Sequence, residues 1–154
     1  MTPPAGGDEQ PRFRIGIFAV IERDGRYLLA RRSDIGWWNL PGGGLEYAET
    51  LEDGLAREVR EEVGSEIEIV RLIGVYSKPR KREVVLAFLC HLAAGSPEPG
   101  TSDEVAEVGW FLPLAFPPRL LPKHRQRLED VLLNQPEALV RAQTSSTAED
   151  QGLE

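Results

Sequence analysis

The chain has 154 residues, 41% of them hydrophobic, which is enough to fill a single core without help from disulfides. Its 25 acidic and 18 basic residues give a net charge of −7, excluding a protein built to coat DNA, RNA or an anionic membrane, partners that demand a basic surface. No apolar run approaches the roughly 18 residues that span a bilayer, and residues 1–11 lack the basic-then-apolar layout of a signal peptide, so a cytoplasmic protein is expected.

Residues 1–11 are rich in Pro, Gly and charge, and residues 143–154 are Ser, Thr and acid with almost nothing apolar. Neither segment repays its ordering entropy, so both are expected to be disordered tails flanking one domain over residues 12–142. Phe13 to Glu22 reads as a strand buried on both faces, with Ile15, Ile17, Ala19 and Ile21 on one side and Phe18 and Val20 on the other. Asp24-Gly25 then turns the chain into a second strand, Arg26 to Arg32. A helix is predicted from Leu51 to Val63, with Thr50 as N-cap, Asp53 completing a capping-box-like start and Gly64 as the stop. Gly54 inside it costs about 1 kcal/mol relative to Ala, which points to close packing there. Strands follow at Glu66 to Tyr76, Glu83 to Leu92 and Val105 to Phe111; the lone Cys90 falls in the second of these and reads as a buried, reduced thiol. A second helix is expected at about Lys123 to Asn134, with Leu128, Val131 and Leu132 on its apolar side and Pro136 limiting it. Strands on both sides of a long helix in so short a chain imply an α/β fold, a mixed sheet layered with helices.

Chemistry concentrates between Leu40 and Ser65, where the sequence runs LPGGGLEYAETLEDGLAREVREEVGS. Glu58, Glu61 and Glu62 are spaced i, i+3, i+4, which puts three carboxylates on one arc of the helix. Like charges so placed repel unless a cation gathers them, and hard oxygen ligands without Cys or His select magnesium, manganese or calcium over zinc. Alone, E-x-x-E-E is more often a solvated acidic face; the context changes that. Gly42, Gly43 and Gly44 let the backbone approach a ligand closely. Arg57 is placed to fix a neighbouring carboxylate through a bidentate contact, that of Glu49.

Together these residues resemble the Nudix signature, G-x5-E-x7-R-E-U-x-E-E-x-G-U with U aliphatic, through Gly43, Glu49, Arg57, Glu58, Val59, Glu61, Glu62 and Gly64. At about 5 to 7% per specified residue type, chance agreement at a given start is on the order of 10⁻⁹. Ser65 departs from the pattern at its last position, which touches packing rather than ligands, and Ala48 replaces a glycine often found before the Glu49 position. The likeness extends to the WNLPGG approach and covers roughly residues 13 to 115.

The resemblance implies an α/β/α sandwich and an enzyme that hydrolyses the diphosphate linkage of a small nucleoside diphosphate derivative with Mg2+ or Mn2+. Glu58 and Glu62 are then metal ligands, Glu61 shares metal or polarises water, and the Gly43 carbonyl is a further ligand. The general base varies in position within the family; here Glu104, in the loop Thr101 to Glu107, is the candidate over Asp103 and Glu107. Arg31, Arg32 and Arg80 are candidate phosphate contacts, and Trp37 and Tyr76 candidate base-stacking rings, while Trp38 reads as core and His91 and His124 carry no assigned chemistry. Pro79 falls near a proline associated in the family with ADP-ribose hydrolysis, so ADP-ribose or another nucleoside diphosphate sugar leads. A house-cleaning nucleoside triphosphate pyrophosphatase follows, and a non-catalytic nucleotide sensor is the reading of another class. No nucleic acid polymer and no membrane is expected as partner; the resemblance leaves a homodimer open, dimers being common among similar proteins, and the sequence does not fix the oligomeric state.

Overall fold

The computed structural model describes residues 12–144. Strand β1 (Arg14–Arg23) and β2 (Arg26–Arg32) form the expected hairpin, joined through Asp24 and Gly25, both at positive φ. Next come β3 (Trp38–Asn39), β4 (Gly42–Gly44) and helix α1 (Leu51–Val63). Then follow β5 (Ile67–Lys78), a 3-10 turn at Pro79–Lys81, β6 (Glu83–Leu92), β7 (Val105–Phe111), helix α2 (Pro122–Leu132) and β8 (Leu139–Ala142).

One mixed sheet runs β3-β2-β1-β6-β5-β8, with β4 pairing β1 and β7 pairing β2. The β1–β6 and β5–β8 pairings are parallel and the others antiparallel. The alternation along β1 divides the core in two. Ile17, Ala19 and Ile21 pack with Leu55, Val59 and Val63 of α1, while Val20 and Phe18 lie with Leu29, Leu40, Tyr76, Leu128 and Val131 of the α2 side. The helices therefore cover opposite faces, the α/β/α sandwich that the resemblance implied.

Helix α1 begins where the Thr50 hydroxyl accepts the Asp53 N–H at 3.1 Å and ends at Gly64 with φ of 75°, each a local signal in the sequence. The structure supplies the reason for Gly54: a Cβ there would come within 2.7 Å of the Leu45 side chain and 2.8 Å of Ile17. The helix is thereby drawn tight against β1.

Several features depart from the sequence reading. Strands β3, β4 and β8 were not expected; β4 is three glycines with no side-chain pattern, and its pairing with Gly16, Ile17 and Phe18 defines it. Strand β5 runs two residues past Tyr76 because Ser77 and Lys78 pair with Val84 and Glu83. Leu132, assigned to the apolar side of α2, is exposed, and that helix instead buries Lys123, His124, Arg127 and Asp130 beside Leu128 and Val131. Gln143, assigned to the C-terminal tail, is buried, where it bonds Arg127 and the Lys123 carbonyl. The rest of that tail from residue 145, and the tail over residues 1–11, lie outside the described residues.

Candidate active site

The acids of α1 and the glycines of β4 meet at the mouth of a cavity of about 630 Å³, also bounded by the Glu104 loop, the end of β5 and the start of α2. Its organiser at the acidic end is Arg57. The guanidinium clamps Glu49 in two bonds, Nε to Oε2 at 2.7 Å and Nη2 to Oε1 at 2.9 Å, and donates to the Gly44 carbonyl at 3.0 Å. Its remaining nitrogen reaches Glu58 at 3.1 Å and Glu61 at 3.3 Å. This fork geometry suits a planar cation that keeps its charge, and it holds the Glu49 carboxyl below the usual carboxylate range.

Glu58 and Glu62 respond oppositely. Burial pushes the Glu58 carboxyl up despite the Arg57 contact, and the charges of Glu61 and Glu104 add to the effect. Glu62 is pushed up to about 8, first by burial and then by Glu58 and Glu104, against one bond from the Gly42 N–H at 3.3 Å. Gly43 lies so near that a Cβ on it would come within 2.7 Å of the Glu58 carboxylate. Gly42, at φ of 152°, has the Phe18 ring where a side chain would be.

The three carboxylates share a helix face, but they do not converge as the spacing alone suggested. Among the described residues, no three His, Cys, Asp or Glu side chains lie close enough together to hold a metal ion. The reason is local: Arg57 holds Glu58 and Glu61, while the backbone holds Glu62. The donor chemistry nonetheless fits a hard divalent cation. The oxygens of Glu58 and Glu62 are half-buried and crowded by like charge, and the glycine beside them leaves room for close approach.

Of the residues singled out from sequence, Glu58, Glu61, Glu62, Arg57, Gly43, Glu104 and Arg32 line this one cavity, with Glu49 bound to Arg57 behind them. Four others do not reach it. Arg31 turns to Glu107 at 3.1 Å, on the other side of its strand from Arg32. Trp37 lies on a separate shallow groove beside Pro118 and Pro122. Tyr76 is fully buried, its hydroxyl donating to Asp130 at 2.8 Å, so no base can stack on it. Arg80 is exposed on the 3-10 turn past β5. Trp38 packs edge-on to Phe111, 5.1 Å between centroids, in the second core.

Sequence reasoning passed over Phe18, Lys78, Lys123, His124 and Arg127, which also line the cavity. A signal existed: Lys123, His124, Arg127, Leu128 and Val131 follow helical spacing, so one face of α2 is basic at its start and apolar at its end. His91, left without chemistry, meets Glu22 at 3.1 Å well away from the cavity.

The sequence profile of the NUDIX domain matches residues 10–134, spanning the α1 acids, the glycine turn and both helices. The chain belongs to the Nudix family. It is 39% identical over 133 residues to a MutT-like protein of Streptomyces ambofaciens, covering 86% of this chain and 85% of that one. It is 30% identical over 125 residues to an ADP-ribose pyrophosphatase of Methanocaldococcus jannaschii, with 77% and 72% covered. A putative 8-oxo-dGTP diphosphatase of Bacillus subtilis is 29% identical over 116 residues, with 75% and 77% covered. A Nudix hydrolase structure from Nitrosomonas europaea superposes with a TM-score of 0.79 at 26% identity, covering 89% of this chain and 82% of that one. The protein is thus a Nudix hydrolase, a class of enzyme that generally needs a divalent metal. Among the described residues no helix is long and apolar enough to cross a membrane.

Proposed function

We propose that this Nudix hydrolase cleaves the diphosphate linkage of a nucleoside diphosphate derivative, using Mg2+ or Mn2+ held by Glu58 and Glu62 with help from Glu61 and the Gly43 carbonyl. The observation that carries the reading is the pair of half-buried carboxylates, Glu58 and Glu62, crowded by like charge beside a side-chain-free backbone. When bound, the cation supplies charge neutralisation for the phosphates and a more acidic water. The residues of the chain do the rest. Arg57, fixed by Glu49, positions Glu58 and Glu61. Arg32, turned into the cavity, meets phosphate oxygens. Glu104 takes the proton as water oxygen bonds to phosphorus and the bridging P–O bond breaks, leaving two phosphate monoesters from a disubstituted diphosphate; its charge reaches both Glu58 and Glu62, which supports that role.

Nucleoside diphosphate sugars, ADP-ribose among them, lead on the name of the Methanocaldococcus relative and on Pro79, which opens the 3-10 turn next to cavity residue Lys78. The name of the Bacillus relative favours a second reading, nucleoside triphosphate pyrophosphatase activity. A cytoplasmic setting suits the buried free thiol of Cys90, whose pKa burial pushes up to about 12. The test is a panel of nucleoside diphosphate sugars and nucleoside triphosphates, each with and without Mg2+ or Mn2+, followed by phosphate and nucleotide detection. Metal-dependent release of a nucleoside monophosphate is expected; no turnover of any member would end the proposal, and nucleotide binding without turnover would make the protein a sensor.

A further inference from the structure

One side chain in the cavity belongs neither to its acids nor to its cations. Asn39 of β3 lines the cavity and is only 9% exposed. Among the described residues its amide oxygen and nitrogen have no hydrogen-bond partner, and neither atom is sealed off from the cavity. Buried polar groups are paired almost without exception, because a desolvated amide without partners destabilises the fold. An exception that faces a cavity points to a partner arriving from outside.

The chain on either side of this amide is pinned. The Trp38 N–H donates to the Arg119 carbonyl at 2.8 Å, and the Trp38 carbonyl accepts the Leu121 N–H at 3.0 Å. Beyond Asn39, the Leu40 N–H donates to His124 Nδ1 at 3.1 Å and the Pro41 carbonyl accepts the Ala19 N–H at 2.8 Å. Trp38 and Leu40 pack in the core on the α2 side, so strand alternation turns Asn39 the other way, toward the α1 face that carries the acids. Its sheet partner Ala30, in the α1-side core, agrees with that direction. The backbone is thus fixed on both sides while the amide itself is committed to nothing, the arrangement of a preorganised recognition group.

An amide presents a donor and an acceptor side by side in one plane. A diphosphate offers acceptors only and a cation takes only the oxygen, so neither satisfies both atoms. A nucleobase edge does, because its amino, carbonyl and ring-nitrogen groups are adjacent and coplanar. Phe18, Val105 and Leu121 give the same cavity apolar walls, which suit a flat ring better than a polyhydroxylated sugar. Gly42, whose N–H meets Glu62, follows three residues after Asn39, at most about 11 Å of chain, so the amide stands a nucleoside's length from the acids. We infer that Asn39 reads the nucleobase of the substrate, its amide bonding the base edge while the diphosphate lies at Glu58 and Glu62. The inference rests on the proposed hydrolysis and deepens it, by naming the residue that sets base preference.

AMP, GMP, CMP and UMP, with the four matching nucleoside diphosphate glucoses, test it, because within each set only the base changes. Calorimetry gives dissociation constants for the monophosphates, and turnover with Mg2+ gives kcat/KM for the glucose series, in the wild type, Asn39→Leu and Asn39→Asp. The wild type should separate the best base from the worst by about tenfold or more in both sets. Asn39→Leu should shrink that spread to about threefold or less. Asn39→Asp, which trades the donor for a second acceptor, should move preference from GMP and UMP toward AMP and CMP, which carry an amino group where the others carry a carbonyl. Each ratio is taken within one variant, so loss of folded protein cancels. The ratio of ADP-ribose to ADP-glucose turnover should hold in both variants; if it moves while the base spread stays, Asn39 contacts the sugar and the inference falls. Equal treatment of all four bases by the wild type, or a spread that Asn39→Leu leaves intact, would also overturn it. Asn39-dependent discrimination among the monophosphates without turnover of any diphosphate derivative supports the base site while removing the hydrolase reading, and turnover that ignores the base does the reverse.

Discussion

Helix α1 seats Leu55, Val59 and Val63 in the core and turns its glutamates to the cavity, whereas α2 reaches the same cavity with Lys123, His124 and Arg127, all buried. The two helices, on opposite faces of one sheet, bring opposite charge to one space. They also stabilise that charge differently. The carboxylates of α1 are managed within the segment that bears them, by Arg57 and by the glycine turn. The buried polar side chains of α2 depend on residues outside the helix: Gln143 for Arg127, Phe18 against the neutral ring of His124, and the Leu40 N–H for its Nδ1. The acidic end is thus a local device and the basic end a product of the tertiary fold.

If the acidic end holds the reacting phosphates, the largest effects follow from Glu58→Gln and Glu62→Gln. Each should lower kcat/KM by roughly 100-fold or more with the melting temperature held or raised, because a crowded charge is removed. Activity within about tenfold of wild type would break the contrast between the helices. Glu62 adds a pH signature. Its folded carboxyl, near 8, lies above its ordinary value of 4.5, so the folded state holds more protons between those limits. Stability of the metal-free protein then falls as pH rises through that window, and apparent metal affinity rises until the carboxylate is fully formed. Glu62→Gln should flatten both slopes, as read by thermal melts with and without Mn2+.

A smaller loss is expected at Glu104. Its backbone carbonyl accepts the Ser33 N–H at 2.9 Å, so the loop is anchored independently of the side chain. Glu104→Gln should therefore lower kcat by tenfold or more, a usual size for a proton-transfer group, without moving the melting temperature. Wild-type kcat would take this residue out of the chemistry and leave the acidic end wholly to α1.

The same contrast explains what could be read from the sequence. Helix α1, its cap at Thr50, its stop at Gly64 and the Arg57–Glu49 clamp were legible because each is a local pattern of residue types and spacings. The hairpin at Asp24-Gly25 was legible for the same reason. Convergence of the three glutamates was over-read, since spacing fixes a helix face but not where Arg57 pulls each carboxylate. The basic end was missed because a buried cation looks like a solvated one until the strands that cover it are known. Tyr76 failed in the opposite sense: an aromatic at the end of a strand was read as a stacking surface, and the neighbour that decides otherwise, Asp130, lies 54 residues away.

Tyr76 also provides the mildest test. Its ring is fully buried under α2, burial and Asp130 push its phenol pKa up, and Asp130 is held in turn by Arg141 at 2.8 Å. Tyr76→Phe keeps the packing and removes one buried donor, while Asp130 retains Arg141, so the loss should be about 1 kcal/mol. For a domain of this size that is a fall of roughly 2 to 4 °C in melting temperature. Its kcat/KM for any nucleotide should stay within about twofold of wild type, since the ring touches no face of the cavity that a base could use. A KM rise of about tenfold with unchanged melting would restore the stacking role and mean that the α2 side opens when substrate binds, making the basic end mobile rather than prebuilt.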